Sequence, residues 1–188
     1  MDRTDYIVLV TGASGAGKST LRDYAVEQLC VPTVRAITTR RTREGEQEVH
    51  ISVDRATFAE LNSTNELCLV KNNHGEWYGY RRSDLSTSGV KIIEVDYRTA
   101  VDNYRDLDAR IIYVYRPDIL HNILTIISKR NGVANRFLDL VVQTIRRLFG
   151  SRIRNIVYFE NSLDEAAKLA FCDLVKDVTY AKATKADH

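Results

Sequence analysis

Gly12-Ala13-Ser14-Gly15-Ala16-Gly17-Lys18-Ser19 reads G-x-x-x-x-G-K-S, the pattern of a loop that wraps its backbone around phosphate groups. Each residue type has a reason to be there. The glycines reach φ > 0, so successive N–H groups can curl around an anion. Lys18 brings a point charge for the β- and γ-phosphates, and the Ser19 hydroxyl is placed to ligate Mg²⁺.

The flanks agree with the motif. Tyr6-Ile7-Val8-Leu9-Val10 is a near-continuous apolar run suited to a buried parallel strand. Beyond the loop, Leu21, Ala25 and Leu29 recur at helical spacing, which aims a helix N-terminus and its dipole at the same phosphates. A strand, a phosphate loop and a helix in that order predict nucleoside triphosphate binding by residues 12–20, Thr20 included.

The bulk composition narrows the class. With 188 residues the chain should build one core, with room for a small insertion. A net charge of +2 with 28% charged residues gives no general case for DNA. Cys30, Cys68 and Cys172 are widely spaced and odd in number, so neither a disulfide framework nor a zinc pattern is expected, but buried thiols in a reducing compartment. The first residues lack a signal peptide's apolar core, and no apolar run reaches the ~18 residues of a spanning helix. The expected location is the cytoplasm, with no membrane partner.

Further along, residues 31–37 read as a short strand leading into an irregular arginine-rich segment, and 52–61 as a short helix. Residues 67–71 and 76–80 read as strands joined by a turn at Asn72-Asn73-His74-Gly75. Strands are expected at 90–96, 109–115 and 155–159. Two helices are expected between the last two of these, one over Ile119, Leu120, Ile123, Leu124 and Ile127, the next over Val141, Val142, Ile145 and Leu148. Ser162-Leu163-Asp164-Glu165 reads as a capping box for a final helix with Ala166, Leu169, Ala170 and Leu174 inward, and the tail from Tyr180 should fray. Alternating strands and helices predict an α/β fold, a parallel sheet with helices on both faces.

With Thr38-Thr39-Arg40, Arg43, Gly45-Glu46 and Tyr78-Gly79 added to the phosphate loop, the chain resembles the guanylate kinase family over nearly its whole length. The resemblance implies a P-loop kinase fold with ATP and Mg²⁺ as cofactors. It divides the chain into a core (1–35, 89–130 and 150–180), an acceptor-binding subdomain (36–88) and a lid (131–149). Arg40, Arg43 and Tyr78 would clamp the acceptor phosphate, a role that suits guanidinium forks and a rigid phenol, and Glu46 would join the acceptor site. Glu94 and Asp96 stand where the family carries aspartates, one near Mg²⁺ and one near the acceptor; two exposed acids at a strand end is the alternative. Lid arginines that neutralise the transferring phosphoryl group would come from Arg130, Arg136, Arg146 and Arg147, with Arg130 and Arg146 the leading pair; one family lid arginine falls on Ile126. Asn161 sits where the family contacts adenine, or serves a turn.

Three positions depart from the family. Its guanine-reading serine, glutamate and second serine fall on Ala36, Leu69 and Tyr80, so guanine specificity is not expected. The loop after Gly45-Glu46 is shorter than in guanylate kinases and lacks their second phosphate-binding tyrosine. Glu48-Val49-His50 in its place, with Arg98, is similar to ribose 1,5-bisphosphate phosphokinase.

The expected activity is therefore transfer of the γ-phosphoryl group of Mg²⁺–ATP to the phosphate of a small acceptor. A nucleoside or deoxynucleoside monophosphate stands first and ribose 1,5-bisphosphate second. A non-catalytic protein-binding module is a third reading, disfavoured by the intact Lys18 and Ser19. Nucleic-acid binding by Arg40-Arg41 with Arg81-Arg82, or an NTPase switch, comes last.

Overall fold

The apolar runs around Val8, Ile92 and Ile112 are neighbours in one parallel sheet. In the computed structural model, which describes residues 6–42, 45, 47–116 and 156–183, the elements run β1 (Tyr6–Gly12), α1 (Lys18–Gln28), β2 (Ala36–Thr38), β3 (His50–Ser52), α2 (Arg55–Ser63), β4 (Leu67–Asn73), β5 (Glu76–Arg81), α3 (Arg82–Leu85), β6 (Val90–Glu94), α4 (Tyr97–Asn103), β7 (Arg110–Tyr115), β8 (Ile156–Glu160) and α5 (Glu165–Ala183). The expected helices at 119–127 and 141–148, the lid, Ile126, and the arginines at 43, 130, 136, 146 and 147 lie outside the described residues, as does Glu46.

One sheet has the order β6-β1-β7-β8 with every pairing parallel. Because successive side chains point to opposite faces, both faces of its apolar strands are covered. Val8, Val10, Ile92, Ile112 and Val114 pack on one side with Leu21 and Ala25 of α1 and with Phe171, Cys172 and Val175 of α5. Leu9, Ile93 and Ile111 pack on the other with Ala100, Tyr104 and Leu85, and with Cys68 and Leu69 from β4. Burial on that scale, roughly 1.5–3 kcal/mol per large aliphatic side chain, holds the sheet's C-terminal edge in place. The fold is α/β, a parallel sheet with helices on both faces, as the alternation of elements predicts.

A second sheet, ordered β3-β2-β5-β4, occupies residues 36–81. Its β2–β3 pair is parallel and its other pairs antiparallel, and it closes over a small core of Ile37, Phe58 and Leu67.

Several details differ from the sequence expectations. The strand expected at 31–37 is confined to β2, since Val31 is drawn back by a bond from its N–H to the Val26 carbonyl. β3, α3 and α4 were not expected; α4 starts because the Asp96 side chain caps it. The final helix is capped by Asp164, whose Oδ1 accepts from the Ala167 N–H, while Ser162 only donates to Asp164. Its inward face is Ala167, Phe171, Cys172, Val175 and Val178, and Leu169, expected inside, is 55% exposed. Ala166 and Ala170 are exposed as well, and α5 continues to Ala183 through the start of the expected tail. Cys68 and Cys172 are buried thiols, Cys68 pushed up to about 11 by that burial, but Cys30 is exposed.

Candidate active site

The turn from β1 to α1 is made by glycines with positive φ, at Gly12, Gly15 and Gly17. Gly12 has φ 140, and a Cβ there would lie 2.0 Å from the Val114 carbonyl oxygen on β7. Gly17, at φ 82, is the N-cap of α1, and no side chain caps that helix. The first N–H groups of α1, which have no intrahelical partner, are thus turned toward the loop. Ala13 and Ala16 anchor the loop from below by packing into the core beneath it. Lys18 Nζ donates to the Ala13 carbonyl at 2.9 Å, so the ammonium is folded across the loop it serves.

Behind this loop stands Asn161, at 1% exposure. Its Nδ2 donates to the Ala16 carbonyl at 2.8 Å, and its Oδ1 accepts from the Leu163 N–H. One end of the carboxamide therefore holds the phosphate loop and the other is tied to the chain just after β8.

Beside it, β6 runs parallel to β1 with Glu94 in register with Val10, which brings the Glu94 carboxylate to the start of α1. Ser19 Oγ donates to Glu94 Oε2 at 2.7 Å, and Lys18 Nζ lies 3.8 Å from Oε1. Arg22, one turn further along α1, reaches the same carboxylate at 3.6 Å and also pairs with Asp23. A hydroxyl and a carboxylate side by side are the hard oxygen donors that suit Mg²⁺, an ion that keeps several of its waters. Among the described residues no group of three His, Cys, Asp or Glu side chains forms a metal cluster.

Asp96 has different company. It caps α4, accepting from the Thr99 N–H and hydroxyl at 2.9 and 2.7 Å, and pairs with Lys71 at 3.2 Å. Burial pulls its carboxyl toward protonation, but the Thr99 bonds and the Lys71 charge outweigh that and hold it below the usual value.

Opposite the loop, the second sheet forms the far wall of a cleft of about 1200 Å³ that Ser19, Arg22, Arg40, His50, Lys71, Tyr78, Glu94 and Asp96 all line. Arg40 follows β2, its N–H donating to Thr38 Oγ1 and its carbonyl accepting from Ser52. Tyr78 lies on β5 with the His50 ring edge-on to it, centroids 6.3 Å apart. The structure thus brings Ser19, Glu94, Arg40 and Tyr78 to one space, with Lys18 Nζ 3.8 Å from Glu94. Arg98 is not part of it: the side chain is 88% exposed and pairs with Asp102.

The positions aligned with guanine readers offer little to a base. Leu69 is 1% exposed and belongs to the core, as does Ala36 at 3%. Tyr80 donates from its hydroxyl to the Glu94 carbonyl at 3.3 Å, and burial pushes its phenol well above the usual value.

The architecture can be compared with solved structures. Guanylate kinase from Anaplasma phagocytophilum superimposes with a TM-score of 0.62 at 14% identity, over 97% of this chain and 88% of that one. The fold is that of the P-loop kinases. Shikimate kinase from Bacteroides thetaiotaomicron (TM-score 0.49, 18% identity, 93% of this chain and 98% of that one) and a sugar kinase from Janibacter sp. HTCC2649 (0.44, 15%, 95% and 98%) are more distant. No family model and no curated protein sequence matches the chain.

Two residues in the cleft, Arg22 and Lys71, escaped the sequence reading. Arg22 was signalled by its place four residues after Lys18, on the same face of α1. Lys71 had no such signal, because a break in strand register decides which way it points.

Proposed function

We propose that this P-loop kinase fold carries an ATP-dependent phosphotransferase acting on a small acceptor that itself bears a phosphate. The observation that supports this best is the shared cleft. The Ser19–Glu94 pair, with Lys18 Nζ 3.8 Å from Glu94, lines it together with Arg40 and Tyr78.

On this reading the loop N–H groups and Lys18 hold the β- and γ-phosphates, and Asn161 fixes the loop's shape from behind. Ser19 and Glu94 would hold Mg²⁺, which supplies charge neutralisation between the phosphates. Arg40 and Tyr78, with Arg43, orient the acceptor phosphate; Glu46 and Asp96 address the rest of the acceptor; Arg130 and Arg146 close on the transferring group. An oxygen of the acceptor phosphate attacks the γ-phosphorus in line, the bond to the β-bridging oxygen breaks, and ADP leaves. Because that oxygen is already ionised, no side-chain base is required. Positioning and charge stabilisation do the catalysis.

A nucleoside or deoxynucleoside monophosphate is the first acceptor to consider, with guanine disfavoured by Ala36, Leu69 and Tyr80. Ribose 1,5-bisphosphate is favoured by a separate observation, the His50 ring beside Tyr78 in the cleft. ADP release from Mg²⁺–ATP across a panel of nucleoside monophosphates and ribose 1,5-bisphosphate, with Lys18→Ala as control, tests the proposal. Turnover that Lys18→Ala abolishes upholds it. Nucleotide bound tightly with no turnover on any acceptor would instead favour a binding module.

A further inference from the structure

Strand β4 changes face part-way along. Leu67 packs with Ile37 and Phe58 under the second sheet, whereas Cys68 and Leu69, adjacent in sequence, both pack on the other side with Leu9 and Ile93. A regular strand cannot turn two consecutive side chains to one face. A bulge makes it possible. Cys68 pairs with Tyr80 and Lys71 with Tyr78, so β4 spends one more residue than β5 between the two pairs. Leu69 accommodates the extra residue with φ 52, a left-handed conformation that leucine rarely adopts.

Everything after the bulge is reversed. Without it, Lys71 would share a face with Leu67 and point at the Phe58 core. With it, Lys71 enters the cleft, where Nζ lies 3.2 Å from Asp96 Oδ2 and 5.8 Å from the centre of the Tyr78 ring. Bulges beside active sites commonly re-aim a side chain in this way, and strain held at one residue often has a functional purpose.

We propose that Lys71 is a specificity-determining cation of the acceptor site, aimed there by the β4 bulge to bind an oxygen of the acceptor's phosphate. The inference rests on the phosphotransferase reading above and adds to it a residue that neither the phosphate loop nor the Arg40–Tyr78 clamp supplies. Lysine is a compact donor-only group, so its partner must be an anion or a bare acceptor oxygen. In the structure that partner is Asp96, whose carboxylate keeps its two Thr99 bonds if Lys71 moves to a phosphate. The exchange therefore frees a lone pair on Asp96 Oδ2 for a hydroxyl of the acceptor. An acceptor rich in oxygen next to its phosphate fits this pair, while the buried Leu69 offers a guanine nothing to bond.

The test is titration of inorganic phosphate into the full-length protein already saturated with Mg²⁺ and the non-hydrolysable nucleotide AMPPNP, followed calorimetrically. Lys71→Met, which keeps the stem length, should weaken phosphate binding roughly tenfold or more, as expected for losing a charge-assisted bond. Lys71→Arg should restore most of it. Thermal unfolding and AMPPNP affinity show that each variant is folded. If AMPPNP binds but phosphate does not, or if Lys71→Met binds phosphate as the wild type does, the role of Lys71 is overturned and the kinase reading stands. If the wild type fails to bind AMPPNP, both fall together.

Discussion

Asn161 Nδ2 donates a 2.8 Å hydrogen bond to the carbonyl of Ala16, joining the loop after β8 to the phosphate loop across 145 residues of sequence. The bond is buried, and the Asn161 Oδ1 end is tied in turn to the Leu163 N–H. The shape of the phosphate loop is thus set partly by the last strand of the sheet. Asn161→Ala should strand a buried carbonyl and a backbone N–H together, lowering stability by about 1–3 kcal/mol in urea denaturation. Weaker Mg²⁺–ATP binding should accompany it. Loss of stability with unchanged nucleotide affinity would separate the loop's shape from this bond.

Two glycines with positive φ make a matched comparison. Gly12→Ala should destabilise by roughly 4 kcal/mol or more, because a Cβ would sit 2.0 Å from backbone oxygen on β7. Gly75, at φ 86 in the β4–β5 turn, has no atom within 4 Å of such a Cβ. Gly75→Ala should therefore show only the left-handed penalty of about 1–2 kcal/mol. Equal effects in thermal unfolding would mean that the contact with Val114 is not the deciding term.

The charge of Asp96 has a definite pH signature. Burial raises its pKa, but the Thr99 bonds and Lys71 lower it further, so the net displacement is downward. A carboxyl depressed in the folded state contributes stability above its unfolded pKa of about 3.9, and that contribution disappears as pH falls through the folded value. The difference in urea midpoint between wild type and Asp96→Asn should be full at pH 7 and shrink below about pH 4. A difference that grows on acidification would contradict the assignment.

Glu94 and Ser19 should act on the metal together. Glu94→Gln should raise the Mg²⁺ concentration for half-maximal activity by roughly 10-fold or more, with the smaller Ser19→Ala effect in the same direction. Asp96→Asn should leave that concentration nearly unchanged, because Asp96 is bonded to Thr99 and Lys71.

The parts of the fold legible in the sequence are those where one physical demand dominates. β1 and β7 are buried on both faces and so read as near-continuous apolar runs, β6 is interrupted by the buried Lys91, and the phosphate loop is written directly in glycines. The inward face of α5 was not legible because apolar residues lie all around its first turns. The face packed on the sheet carries Ala167, Phe171, Cys172, Val175 and Val178, and leaves Leu169 outside. β3 spans three residues, too few for a period to show. At the site, Glu94 was legible as an acid ending a strand, but Asp96 doubles as a helix cap. Leu69 and Lys71 could not be placed, because alternation along β4 fails at the bulge. The bulge puts Leu69 into the core, so a glutamate at that position would bury a carboxylate rather than present it to a base.

The central question is whether the acceptor group is a phosphate. Phosphorus-31 NMR of the reaction of Mg²⁺–ATP with the acceptor that releases ADP reads this directly. A second phosphoanhydride beside that of ADP, with loss of the acceptor's own monoester signal and absent from the Lys18→Ala reaction, is the predicted result. A new uncoupled monoester signal would show transfer to a hydroxyl and contradict it.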